Sequence, residues 1–179
     1  MKLLFFIVSI MLFQVSFSQK TKKSKINELE FCNYKILITN LKQLKFSKAE
    51  VYNFNCKSPN KDMPDYKLVD SNKMIATSAK KVCELTGKEK ITLLKVLTNN
   101  KNYMSRIPES KGCYNPRMGF IFYNATNKIV GHFDICLECN QILFENFLNN
   151  YTCQLDFYEE GKKRFKSLCN YYKVGCCEK

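Results

Sequence analysis

Hydrophobic and polar positions alternate through "FCNYKILITNL" (31–41), with Tyr34, Ile36 and Ile38 on one side, so the pattern predicts a strand. "EVYNFNC" (50–56) alternates likewise through Tyr52 and Phe54 and predicts a second. Between them and the next periodic stretch, "KSPNKDMPDYKLVDSNK" (57–73) holds Pro59, Pro64 and several Asn and Asp, which marks a long loop. The period then changes. In "TGKEKITLLKVLTNN" (86–100), Ile91, Leu94 and Val96 or Leu97 recur at helical spacing, and Thr86 with Glu89 three residues on forms a capping box. A helix over about 87–98 follows, closed by the loop "NNKNYMSRIPESKG".

Two alternating runs around a short polar turn, "RMGFIFYNATNKIVGHFDIC" (117–136), predict a β-hairpin. "NQILFENFLNN" (140–150) is compatible with a short helix capped by Asn140. Near the carboxyl terminus Phe165, Leu168, Cys169 and Tyr172 fall at i, i+3, i+4 and i+7, the stripe of an amphipathic helix over about 159–173 that Gly175 can end. Strands and helices in this order predict an α+β fold: a small, mainly antiparallel sheet around the 117–136 hairpin, with two or three helices. Residues 30–179 are expected to form a single cysteine-rich domain behind a loose lead-in at 19–29.

A slip of one residue in a hairpin exchanges its faces, so the apolar pattern argues for a register. Pairing Tyr123 with Lys128 sets Phe122 opposite Ile129, Phe120 opposite Gly131 and Met118 opposite Phe133, one continuous apolar face. The other face then places Gly119 opposite His132 and Arg117 opposite Asp134, a cross-strand ion pair. Cys113 would lie near the hairpin end that carries Cys136 and Cys139.

The first residues add a compartment. "MKLLFFIVSIMLFQVSFSQK" has a basic start at Lys2, an apolar run from Leu3 to Phe17, and small Ser16 and Ser18 before a cut, the pattern of a secretory signal over 1–18. The expected product is exported, periplasmic or secreted, with no membrane-spanning segment after cleavage. All ten cysteines lie beyond the signal, an even number, so in an oxidising compartment disulfides are the expectation for most of them. Fully bridged, the domain would leave no free thiol. Pairing is not deducible from the sequence.

The chain carries 29 Lys+Arg against 16 Asp+Glu, a net charge of +13, lowered by one when Lys2 leaves with the signal. The lysines recur along the whole length, the pattern of a solvated basic surface. An anionic envelope polymer is a compatible partner. No RNP-like or helix-turn-helix pattern accompanies the charge, so nucleic acid is not expected.

Candidate chemistry centres on "HFDICLECN" (132–140), which holds the only histidine and a C-x-x-C. Along a strand His132 and Cys136 stand roughly 13 Å apart, at ~3.3 Å per residue, too far for one zinc ion. His132 is therefore expected at the surface or half-buried. Three thiolates from Cys113, Cys136 and Cys139, completed by the Cys176-Cys177 pair, would be needed instead, yet a structural zinc site of this kind usually shows two C-x-x-C knuckles. No metal and no other cofactor is expected.

A redox dithiol would resemble thioredoxin. However, all four prolines precede the motif, Glu138 sits between the cysteines where a carboxylate opposes thiolate formation, and the preceding unit is a hairpin rather than β-α-β. Disulfide staples built from Cys113, Cys136, Cys139, Cys176 and Cys177 are the favoured reading. With one histidine there is no Ser/His/Asp or Cys/His set of obvious spacing, and no catalytic residue is assigned.

The stretch "CYNPRMGFIFYNATNKIVGHFDICLEC" (113–139) resembles a pattern in exported bacterial proteins of unknown activity. There a cysteine shortly before Pro-Arg or Pro-His leads into an "FY" strand, a turn, and a second strand ending in C-x-x-C. Cys113, Pro116, Arg117, Cys136 and Cys139 are the matching positions, and "SFSQ" is similar to the end of Bacteroidetes export signals. The resemblance implies bacterial origin and a hairpin-centred unit, without an activity. The expected function is that of a disulfide-stabilised binding or structural domain, with a thiol-disulfide oxidoreductase or metal-binding protein as the alternative.

Overall fold

The computed structural model describes residues 32–54, 66–104 and 114–174, which belong to one compact unit. Its architecture is α+β. Strands β1 (Lys48–Asn53), β2 (Lys80–Glu84), β3 (Met118–Tyr123), β4 (Ile129–Cys136), β5 (Gln141–Asn146) and β6 (Tyr151–Asp156) form one antiparallel sheet. Their order is β2-β1-β3-β4-β5-β6. Helices α1 (Tyr34–Gln43), α2 (Gly87–Leu97) and α3 (Glu159–Tyr171) bury their apolar sides in one core with Val51, Phe120, Phe133, Phe144 and Leu155.

The opposite face of the sheet carries a second, smaller core of Tyr52, Phe54, Ile121 and Tyr123, closed by Leu68 and Val69. Those two come from residues 66–79, a strap folded back on itself by a bridge between Val69 and Ile75. Gly119 makes room for it: a Cβ there would lie 2.6 Å from Leu68 Cδ2.

Helices α2 and α3 follow from local chemistry. The Thr86–Glu89 capping box forms as the sequence predicts, each side chain satisfying the other's backbone amide at the start of α2. Helix α3 buries Phe165, Leu168, Cys169 and Tyr172 as expected. Gly161 lets α3 approach the 3-10 turn Asn100–Asn102, because a Cβ at that position would stand 2.5 Å from the Asn102 carbonyl oxygen. Alanine normally stabilises a helix interior by about 1 kcal/mol over glycine. Here Gly161→Ala is expected to destabilise the fold by about 1–3 kcal/mol, the range for overpacking, in urea unfolding.

Three segments differ from the sequence expectations. Within the stretch expected as a strand, residues 34–41 are helical: Asn33 caps α1 by accepting from the amides of Lys35 and Ile36, and the buried positions Leu37, Asn40, Leu41 and Leu44 follow helical spacing. The segment 140–150 holds strand β5 and the turn after it, not a helix, and Asn140 turns the chain at φ 57° instead of capping. Within α2 the buried residues are Leu93 and Leu97, whereas Ile91 is 58% exposed. Gly175 lies outside the described residues.

The hairpin pairs β3 with β4 as expected, and Phe120 and Phe133 share the helix-facing side, but the register moves by two residues. Phe120 stands opposite Phe133, Met118 opposite Ile135, and Gly119 opposite Asp134. A shift between Phe122 and Tyr123 takes up one of the two residues near the turn, where Tyr123 stands opposite Ile129.

Candidate functional site

The two-residue shift rearranges the charged side chains. Across the strap-facing side, Glu50, Ile121, His132, Glu145 and Thr152 come into one cross-strand row from β1 to β6. The neighbouring row holds Tyr52, Gly119, Asp134, Leu143 and Gln154. His132 is fully buried, contrary to the expected surface or half-buried position, because the strap covers it and Phe147 packs on its ring at 5.8 Å.

Its two nitrogens are both engaged. Nδ1 lies 2.8 Å from Asp134 Oδ1 and Nε2 lies 3.2 Å from Glu145 Oε2. Asp134 Oδ2 accepts from the Leu68 amide at 2.9 Å, and Glu145 Oε1 accepts from Lys67 Nζ and from Thr152 Oγ1. Two carboxylates of the sheet therefore hold both the histidine and the strap. Asp134 is thus not the partner of Arg117, whose guanidinium meets Glu138 at 3.4 Å; the register places Gly119, not Arg117, across from Asp134.

Burial alone would lower the His132 pKa, but the Asp134 charge and the hydrogen bonds to Asp134 and Glu145 outweigh it and raise the value from 6.5 to about 9. Glu145 moves the other way: burial would raise it, yet the hydrogen bonds from His132 and Lys67 bring it from 4.5 down to about 2. A doubly donating imidazolium has no lone pair to take a proton, so this cluster is built to hold charge, not to act as a base.

The pH dependence follows from the two shifts. A raised histidine contributes stability that is complete below pH 6.5 and lost as pH rises through about 9; a lowered glutamate contributes stability complete above pH 4.5 and lost as pH falls through about 2. The urea midpoint is expected to be highest between those limits and to fall on the alkaline side toward pH 9. A flat profile from pH 6.5 to 9 would show an uncharged His132.

A further buried carboxylate stands on β1, two strands from His132. Glu50 Oε2 accepts from the hydroxyls of Tyr52 and Tyr123, each at 2.8 Å, while Lys81 and Lys48 reach Oε1 at 2.5 and 3.4 Å. Burial opposes the charge, but the bonds from Lys81, Tyr123 and Tyr52 hold its pKa at about 2. Every oxygen is again taken from within the chain.

The cysteines divide. Cys32, just before α1, is bridged to Cys153 on β6, with Cα atoms 5.1 Å apart. Cys139, in the turn after β4, is also disulfide-bonded, and Cys136 is a buried thiol at the end of β4, so the C-x-x-C is not closed on itself. Burial raises the Cys136 thiol above its ordinary value despite backbone hydrogen bonds to it. Cys83 and Cys169 are thiols as well, which overturns the expectation that no thiol remains free. Cys113, Cys176 and Cys177 lie outside the described residues.

Sequence reasoning missed Glu145, Lys67 and Glu50. Glu145 was hidden by reading its strand as a helix; Lys67 reaches the site from a loop whose path has no sequence signal. Among the described residues no helix is long and apolar enough to cross a membrane, and no group of three or more His, Cys, Asp or Glu side chains could hold a metal ion. Comparison with family models, with curated proteins and with solved structures returns no match.

Proposed function

We propose that the chain is an exported, disulfide-stabilised binding or structural domain, periplasmic or secreted, that carries out no covalent chemistry. The observation that carries this reading is the Cys32–Cys153 disulfide, which ties the first helix to the far edge of the sheet across 121 residues. Such a bridge suits an oxidising compartment, where the amino-terminal signal pattern would send the chain. The buried charges support the non-catalytic part, since His132, Asp134, Glu145 and Glu50 take their partners from the strap and the sheet.

The oxidoreductase reading needs a nucleophilic thiolate. Cys136 is a poor one, buried and raised in pKa. The test is a peptide map of the non-reduced secreted protein together with an insulin-reduction assay. The expected result is a Cys32–Cys153 peptide, a Cys136 thiol and no turnover. Insulin reduction that disappears in Cys136→Ser would replace the proposal with a thiol-disulfide enzyme.

A further inference from the structure

One end of the sheet gathers lysines and exposed apolar side chains. In the antiparallel order, the β3–β4 turn at 124–128, the β5–β6 turn at 147–150 and the start of β1 all lie at this end. Ser47 bonds the Tyr123 carbonyl, and Asn149 Nδ2 donates to Asn40 Oδ1 of α1 at 2.6 Å, so the end is tied together. Ile91 and Leu148 are each 58% exposed here. Around Ile91 runs a shallow groove of about 680 Å³ with Phe46, Leu94 and Ala125 in its lining and Lys45 and Lys90 as its charged residues. Lys42 lies in the last turn of α1 and Lys128 closes the β3–β4 turn, both exposed.

No carboxylate lines the groove. Glu50 and Glu145, on the strands that reach this end, are buried and paired with Lys81 and Lys48 or with His132 and Lys67. Lys48, at the start of β1, takes Glu50, so neither carboxylate is paired with Lys42, Lys45 or Lys128. The charged groups in the groove lining are ammonium groups beside the apolar side chains of Phe46, Ile91 and Leu94, a combination that suits a surface both anionic and apolar.

Resting on the proposed export, we infer that this end is a docking surface for an anionic lipid bilayer, with Ile91 and Leu148 entering the headgroup boundary and Lys42, Lys45 and Lys128 facing acidic headgroups. Apolar burial and electrostatic attraction add at such a surface.

The test is co-sedimentation of the full secreted protein with vesicles of phosphatidylglycerol and phosphatidylcholine, against pure phosphatidylcholine, with soluble alginate as the polymer arm. Binding is expected to the anionic vesicles alone and to weaken steeply with salt. Each of Lys42→Gln, Lys45→Gln and Lys128→Gln should lower it about fivefold. Leu148→Ser and Ile91→Ser, at exposed positions that leave the core intact, should weaken vesicle binding several-fold. Absent binding, equal binding to neutral vesicles, or alginate binding of the same strength that ignores Leu148→Ser and Ile91→Ser would overturn the inference. None of these outcomes touches the disulfide map or the insulin assay, which judge the export reading separately.

Discussion

Replacing His132 with leucine is expected to remove about 3–5 kcal/mol of folding stability at pH 6, the range for breaking a buried ion pair by deleting one partner. The imidazolium sits between Asp134 and Glu145, and all three side chains are removed from water. Without it two carboxylates face each other across β4 and β5 with Lys67 as the remaining cation, and the solvation they gave up on folding is no longer offset. A domain of ordinary stability has about 5–15 kcal/mol in total, so the variant should stand near the edge of folding. Urea unfolding at pH 6 reads this directly. The same cluster anchors the strap through the Leu68 amide and Lys67, so limited proteolysis should cut within residues 66–79 earlier than elsewhere. A Glu145→Gln companion closes a double-mutant cycle, with coupling of about 0.5–3 kcal/mol expected between the two positions. A loss under about 1 kcal/mol would mean the histidine is neutral and the network far weaker than its geometry implies.

This network was illegible from the sequence for a specific reason. The hairpin's apolar pattern sets parity, not partners: a register moved by two keeps Phe120 and Phe133 on one side, yet exchanges His132 for Asp134 opposite Gly119. Helices α2 and α3 were readable because each carries a local signature, a capping box in one and a clean stripe in the other. β5 was not, because helices cover one of its faces and the other is covered too; all six of its residues are buried and the alternation disappears. Its polar residues, Gln141, Glu145 and Asn146, are buried with the rest. One signal was present and unused. The turns after β3, β4 and β5 contain Asn127, Asn140 and Asn150 at φ 56°, 57° and 54°, the left-handed region that asparagine tolerates best among residues with a side chain. Three such asparagines, 13 and then 10 residues apart, mark a meander of hairpins. α1 was misread because Tyr34, Ile36 and Ile38 alternate, while its buried stripe runs through Leu37 and Leu41.

The Cys32–Cys153 bridge should have an effect of similar size through the unfolded chain. Closing a loop of 121 residues restricts the denatured ensemble by about 5 kcal/mol in the chain-entropy treatment, and removing a native disulfide typically costs about 2–5 kcal/mol. The pair Cys32→Ser and Cys153→Ser, which leaves the Cys139 bridge in place, is therefore expected to lower Tm by roughly 5–20 °C, at about 2–4 °C per kcal/mol for a chain of this size. The loss should also be local. α1 has 10 residues, too few to persist alone in water, and Cys32 fastens it two residues ahead of its first turn. What otherwise holds it is the packing of Leu37, Leu41 and Leu44 on the core and the Asn40–Asn149 contact. In the double variant, amide exchange over Tyr34–Gln43 should thus rise more than in β3, β4 and β5, whose amides are locked between neighbouring strands. Uniform exchange, or a Tm indifferent to the two substitutions, would mean that α1 is held by packing alone and that the bridge is not what fastens the helical layer to the sheet.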